Sequence, residues 1–189
     1  MKIVNSVFTT TLCALFLSFS STTQVVAKDN SDQLISIADL QTAYQLLVLN
    51  HSNETQQRQF QQRQNELTKR ATLIAKKQLK IRYRLGGTSP QKGFDCSGLI
   101  QYSFKKVNIS LPRTAASQYK KTKRIPLADL KSGDLIFFHT RRRKHVKVNH
   151  VGIYLGNNQF IHAPRRGKTV TIAKLNSYWK RKVVGGGRV

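Results

Sequence analysis

The apolar residues of this chain follow one spacing in its first half and another in its second half. In residues 31–50 and 66–80 they recur every three or four positions, as on one face of a helix. A third helical segment begins at Cys96 and continues to about Val107. Beyond it, five short apolar runs are typical of strands: residues 134–138, 150–155, 160–162, 169–172 and 182–184. Helices followed by antiparallel strands predict an α+β fold.

The N-terminus has the features of an export signal. An apolar stretch at residues 7–19 is too short to span a membrane, and small residues follow at 25–27. These features predict a cleaved signal peptide over residues 1–27, and hence a periplasmic or secreted protein without stable membrane insertion. Cys13 lies in the middle of the apolar stretch, away from any cleavage site, so no lipid anchor is predicted. Cys96 is then the only cysteine of the mature chain.

Positive charge is concentrated in the last two thirds of the chain. Residues 1–69 carry five basic and five acidic side chains, whereas residues 70–189 account for the whole net charge of +25. Such a surface either keeps the protein soluble or meets a polyanion or an acidic substrate. For an exported protein the candidate partners are cell wall, anionic lipid or polysaccharide, and extracellular nucleic acid. We expect no nucleic acid, because the bases lack interleaved aromatic residues.

The segment around Cys96 has the composition of a nucleophile at the start of a helix. Asp95 is a good N-cap, which places Cys96 in the first turn, where backbone amides and the helix dipole are expected to favour the thiolate. The small residues Ser97 and Gly98 leave room for a substrate carbonyl, and the Cys96 amide can donate to its oxyanion. A buried structural cysteine fits this segment equally well.

Two histidines flank a predicted hairpin downstream of the cysteine. Gly156-Asn157-Asn158 is a strong turn signal between the apolar runs that contain His150 and His162. A two-residue loop at Asn157 and Asn158 would place the histidines on opposite faces of the sheet, whereas an odd or bulged loop would place them on one face. If both histidines serve Cys96, the hairpin must therefore be odd or bulged. Each histidine taken singly also fits an ordinary core or surface position.

Six motifs follow one another in residues 69–189: Tyr83-Arg84-Leu85-Gly86-Gly87, Phe94-Asp95-Cys96-Ser97-Gly98, Leu111-Pro112-Arg113-Thr114, Ser132-Gly133-Asp134-Leu135, His150-Val151-Gly152-Ile153-Tyr154-Leu155-Gly156 and Phe160-Ile161-His162-Ala163. In this order they resemble the NlpC/p60 family of cell-wall cysteine peptidases, and the C-terminal Tyr178-Trp179-Lys180 is similar to its single-domain endopeptidase branch. The resemblance implies a papain-like catalytic domain over residues 69–189, preceded by a helical, glutamine-rich extension over residues 28–68. The glutamine-rich run at residues 56–64 is either helical or a flexible linker.

The resemblance also implies roles for individual residues. Cys96 would be the nucleophile, His150 the base and His162 the residue that orients the base. Three further positions match residues that line the substrate site: Tyr83, Asp95 and Ser97. Such enzymes cut the peptide stems of peptidoglycan through an acyl-enzyme, without a cofactor or a metal, and we expect a monomer. From its charge, we expect Arg113 or the cluster at residues 165–168 to pair with stem-peptide carboxylates.

The sequence departs from the family pattern in three places, and other functions stay open. Leu85 replaces an aromatic residue, residues 141–147 form an unusually basic loop, and the extension has no family counterpart. One alternative is a non-catalytic protein of the same fold that binds cell wall or another polyanion. Another is an acyltransferase or amidase, because the same acyl-enzyme can pass to an amine. A zinc site of Cys96, His139, His145 and His150 has suitable ligand types but no compact spacing.

Overall fold

The computed structural model describes residues 36–140 and 147–189, in two compact units that divide between Asn53 and Glu54. The predicted signal peptide with Cys13 lies outside the described residues, and so does the basic loop apart from Lys147. Within the described ranges, no helix is long and apolar enough to cross a membrane.

The first helix is longer than either of the two helical segments from which it was predicted. Helix α1, Ile37–Lys76, runs through the glutamine-rich segment without a break. It contains no glycine or proline, and glutamine, arginine and glutamate are good helix formers, so nothing in this stretch ends the helix. Ser36 and Asp39 cap its start reciprocally through the Ser36 hydroxyl and the Asp39 carboxylate. The predicted boundary at residues 68 and 69 falls inside this helix.

The second unit combines three further α-helices with an antiparallel sheet, which confirms the predicted α+β fold. The helices are α2 Cys96–Lys105, α3 Ala115–Lys121 and α4 Ser177–Lys180. The strands are β1 Thr88–Ser89, β2 Gly93–Phe94, β3 Lys123–Ile125, β4 Leu135–Phe138, β5 His150–Gly156, β6 Gln159–His162, β7 Thr171–Lys174 and β8 Val183–Arg188. Strands β1 and β2 pair with each other, and the main sheet has the order β3-β8-β4-β5-β6-β7. All five predicted strands are present. Strand β3 escaped prediction because Ile125 is its only apolar residue.

Helix α2 packs on one face of the main sheet and thereby fixes the position of Cys96. Its Leu99, Ile100 and Phe104 are fully buried in a core that also contains Val151 and Ile153 of β5. Each such side chain contributes about 2 kcal/mol when it leaves water. Because the apolar residues lie on the C-terminal side of Cys96, packing holds the first turn of α2 against the start of β5.

The β5–β6 hairpin contains the bulge that the sequence required. Gly156 pairs with Gln159 around the two-residue turn, whereas Tyr154 pairs with Phe160, so the register shifts by one residue between the two pairs. Asn157 and Asn158 have φ values of 49° and 52°, which asparagine tolerates better than most residues. The shift places His162 opposite Gly152, on the same face as His150. A bulged hairpin is therefore confirmed.

Candidate active site

The predicted cap of the nucleophile helix is present. Asp95 has extended backbone, with φ −91° and ψ 176°, and its Oδ1 accepts a hydrogen bond from the Gly98 amide at 2.7 Å. Cys96 occupies the first helical position as a half-buried, reduced thiol. The cap therefore orients the turn from which the thiol projects.

The Asp95 carboxylate is also bound by an arginine from another segment. Arg113 donates from Nη1 to Oδ1 at 3.0 Å and from Nη2 to Oδ2 at 2.5 Å, and this pairing raises the pKa of Arg113. The Gly86 amide donates to Oδ2 at 2.9 Å, and Arg113 also reaches the Ser97 hydroxyl at 3.1 Å. Arg113, expected to pair with substrate carboxylates, is thus directed at Asp95 and Ser97.

The Gly86–Gly87 loop contacts the first turn of α2 next to this carboxylate. The Asp95 amide donates to the Gly87 carbonyl at 3.1 Å. A methyl group on Gly98 would lie only 2.0 Å from that same carbonyl oxygen. Any larger residue at position 98 would therefore push the Gly86–Gly87 loop away from the first turn of α2.

His150 and His162 form a buried, directly hydrogen-bonded pair. Nε2 of His150 lies 2.8 Å from Nδ1 of His162, and the rings are nearly perpendicular. The two residues are 4% and 2% exposed. Since Nε2 of His150 is used in this bond, Nδ1 is the ring nitrogen with which His150 can act as a base.

An aromatic cage surrounds the histidine pair and shields it from water. Trp179 of α4 stacks on His150 with ring centres 5.8 Å apart and meets His162 edge-on at 5.1 Å. Phe160 and Phe138 complete the cage. Burial lowers the pKa of His162 to about 4, so this ring is neutral near pH 7 and its Nδ1 can accept a hydrogen bond from His150 Nε2. Sequence reasoning gave Trp179 no such role, although it is the only tryptophan of the chain.

The environment of the thiol differs from the expectation of a favoured thiolate. Burial raises the pKa of Cys96 to about 11, and the nearby Asp95 charge adds to the effect. The backbone amides of Val151, Ser97 and Cys96 itself lower it, as predicted for a helix start, but they do not outweigh the loss of water. The start of the helix alone therefore does not favour the thiolate, and the thiol needs a proton acceptor to become nucleophilic.

These groups meet at a cavity of about 440 Å³. Five of the seven predicted site residues line it: Tyr83, Asp95, Cys96, Ser97 and His150. His162 and Arg113 are not among the lining residues and contact those that are. The wall also contains residues that the sequence did not single out: Thr114, Ala115 and Ala116 at the start of α3, together with Thr140, Val148, Asn149 and Pro164.

Two of these wall residues hold the chain segments beside His150 together. Both the amide and the hydroxyl of Thr140 donate to the Asn149 side-chain oxygen, at 2.8 and 2.9 Å. This clamp joins the end of β4 to the start of β5, so it fixes the segment that leads into His150.

In residues 36–140 and 147–189 no three His, Cys, Asp or Glu side chains are grouped as metal ligands would be. His145 of the zinc alternative lies outside these ranges.

Comparison with known proteins identifies relatives of the second unit. The NlpC/P60 family model matches residues 80–188. The chain is 47% identical over 111 residues to the murein DD-endopeptidase MepH of Escherichia coli, covering 57% of this chain and 40% of MepH. It is 40% identical over 129 residues to the probable endopeptidase YafL of the same organism, covering 66% of this chain and 51% of YafL. The chain thus spans about half or less of these curated relatives.

A solved structure shows the same fold. An NLP/P60 family protein from Staphylococcus aureus, described as similar to lipoprotein, superposes with a TM-score of 0.60 at 41% sequence identity. The match covers 66% of this chain and 41% of that protein.

Proposed function

The chain belongs to the NlpC/P60 family, and from this premise we propose that it is an exported cysteine endopeptidase that hydrolyses peptide stems or cross-links of peptidoglycan. The observation that carries the proposal is the juxtaposition of Cys96 and His150 at one cavity, with His162 hydrogen-bonded behind His150. A merely structural cysteine would need neither a histidine beside it nor a second, neutral histidine behind that one.

In the first half of the reaction, His150 Nδ1 accepts the proton of the Cys96 thiol. The thiolate attacks the carbonyl carbon of the scissile amide, and the carbonyl π electrons move onto oxygen, where the Cys96 backbone amide can donate a hydrogen bond. The imidazolium of His150 keeps its Nε2 proton directed at His162 Nδ1. His162 can accept this bond because burial keeps the ring neutral.

The second half regenerates the thiol. The tetrahedral intermediate collapses, the C–N bond breaks, and the leaving amine takes the proton from His150, which leaves a thioester on Cys96. Water then enters, His150 accepts one of its protons, and the new oxygen–carbon bond replaces the sulfur–carbon bond. The carboxylic acid product leaves and the proton returns to sulfur. The donors and acceptors named here all belong to one chain, which fits a monomer.

The cavity wall suggests how the stem peptide is held. Tyr83 and Ser97 present polar side chains beside the thiol, and Asp95 adds a carboxylate whose charge Arg113 already compensates. We assign these three lining residues to substrate positioning and Arg113 to holding Asp95. MepH is named a murein endopeptidase, which supports the same polymer as the substrate of this chain.

Digestion of purified sacculi tests the proposal. Wild-type protein should release muropeptides whose masses differ from the parent by one water for each bond cut, and Cys96→Ala should release none. Products carrying an amine instead of water would identify an acyltransferase. Unchanged digestion by Cys96→Ala would refute the mechanism. N-terminal sequencing of the exported protein tests cleavage before Lys28.

A further inference from the structure

Three separate segments bring exposed basic side chains together on one side of the cavity. The segment that contains Tyr83 lies against residues 168–170, through a 2.8 Å bond from the Tyr83 amide to the Lys168 carbonyl. On its other side it lies against β2, where the Phe94 amide donates to the Arg82 carbonyl at 3.1 Å. The basic strip made by this arrangement consists of Arg82, Arg84, Lys92, Arg165, Arg166 and Lys168, all of them exposed.

The strip borders the cavity wall directly. Along this extended segment Tyr83 and Leu85 line the cavity, so the alternating residues Arg82 and Arg84 project to the outer side. Their side chains are neighbours across Gly93, since a methyl group there would lie 3.3 Å from Arg82 Cγ and 3.1 Å from Arg84 Cβ. Pro164 also lines the cavity, and the loop of the strip begins at the next residue.

The strip carries charge that nothing in the described part of the chain compensates. The ion pairs found there use other bases, namely Arg58, Lys69, Arg113 and Arg188. The acidic residue at the cavity is Asp95, and Arg113 already compensates the charge of its carboxylate. Solubility alone does not require like charges to be grouped on three adjoining segments, because their mutual repulsion disfavours such a grouping.

We propose that the basic strip binds the free carboxylates of neighbouring stem peptides on the peptidoglycan polymer, beyond the bond being cut. This inference rests on the proposed function, because it extends the same substrate past the cavity. A polymer seated in the cavity continues over the wall formed by Tyr83 and Pro164, and there it meets the strip. Carboxylates repeat along such a polymer, and arginine binds them through two parallel hydrogen bonds. The strip thus retains the enzyme on insoluble substrate. A short soluble peptide, in contrast, occupies the cavity and leaves the strip unoccupied.

Binding of inactive full-length Cys96→Ala protein to sacculi, measured by co-sedimentation, tests the strip without catalysis. One variant adds Arg82→Gln, Arg166→Gln and Lys168→Gln, and a matched control adds Lys105→Gln, Lys120→Gln and Lys123→Gln. Both remove three exposed positive charges, but the control charges lie on α2, α3 and the far edge strand β3. We expect the strip variant to bind about ten-fold more weakly, as for the loss of three exposed ion pairs, and the control to bind like the parent. Sacculi whose carboxylates are amidated should bind the parent as weakly as the strip variant.

Equal weakening in both variants, or full binding to amidated sacculi, would overturn the proposal. Strip-dependent binding to phosphatidylglycerol vesicles but not to sacculi would assign the strip to a membrane surface instead.

Hydrolysis of a soluble cross-linked muropeptide by the same variants with Cys96 restored separates this proposal from the catalytic one. If no protein cuts it while sacculus binding depends on the strip, the catalytic proposal fails alone. If all cut it equally while sacculus binding ignores the strip, the strip proposal fails alone.

Discussion

Two aspartate–arginine pairs of nearly the same geometry occur in this unit, one beside the nucleophile and one at the sheet. Asp134 accepts from Arg188 Nε at 2.8 Å and from Nη2 at 2.7 Å, much as Asp95 accepts two bonds from Arg113. Each carboxylate also takes a backbone amide, from Lys131 in one case and from Gly86 and Gly98 in the other. The charge chemistry is therefore alike in the two places.

The difference lies in what each pair holds. Asp134 and Arg188 fasten the start of β4 to the end of β8, so their loss affects the sheet. Asp95 is bonded to the loop at Gly86 and, through Arg113, to the segment before α3, so loss of this pair also moves Cys96 and exposes it to an unbalanced carboxylate. A similar interaction thus serves stability in one region and stability together with reactivity in the other.

Lowering the pH should give the largest of the expected effects, a loss of folding stability that arises at the active site. The pKa of His162 is about 4 in the folded protein, below the ordinary histidine value of 6.5, so the unfolded chain binds the extra proton first. Stability is therefore full above pH 6.5 and falls as the pH drops towards 4, by up to about 3 kcal/mol. Urea unfolding of the wild type, His162→Gln and Arg188→Gln at several pH values measures this. The loss between pH 6.5 and 4 should shrink in His162→Gln and persist in Arg188→Gln. A wild-type loss that is unchanged in His162→Gln would contradict the role of burial.

Removal of the arginine from each pair should separate stability from reactivity. Arg113→Gln and Arg188→Gln each leave a buried carboxylate without its cation and should each cost about 2 kcal/mol of unfolding free energy, less than a fully buried pair because both arginines are partly exposed. Only Arg113→Gln should lower kcat/KM, by about ten-fold for each unit by which the unbalanced Asp95 charge raises the thiol pKa. Urea unfolding and muropeptide hydrolysis measure the two effects. Equal kcat/KM losses in both variants would erase the proposed distinction.

The substitution Trp179→Phe should give the smallest of the three effects, and this effect should be confined to the active site. A smaller ring loses part of its contact with both histidines, which should cost about 1 kcal/mol of stability and raise the pKa of His162 as water enters. NMR titration of the His162 ring protons follows that pKa directly. The matched control is Tyr178→Phe, which alters the neighbouring exposed ring and should leave the titration unchanged. An unchanged His162 pKa in Trp179→Phe would show that the cage does not exclude water.

The sequence predicts what local patterns determine. Asp95 before a helical apolar face fixed the cap and the place of Cys96, and the parity of positions 150 and 162 required a bulge that the hairpin contains. The net shift of the Cys96 pKa depends on burial by segments that are distant in the sequence. The pairing of Arg113 with Asp95 depends on the fold, which brings together residues that are 18 positions apart. Trp179 reaches the histidines only because α4 folds back over the sheet. Contacts of this kind have no periodic signal in a single sequence.

The activation of the half-buried Cys96 thiol by His150 is the central claim. Alkylation of Cys96 by iodoacetamide across a pH series tests it most directly, with Cys96 followed by peptide mass in the wild type and in His150→Ala. Burial and the Asp95 charge raise the pKa of Cys96, so rapid modification at mildly acidic pH requires that a protonated His150 stabilise the thiolate as an ion pair. We predict rapid alkylation of the wild type at about pH 6 and alkylation of His150→Ala only at strongly alkaline pH. Identical alkaline profiles for the two proteins would contradict the account.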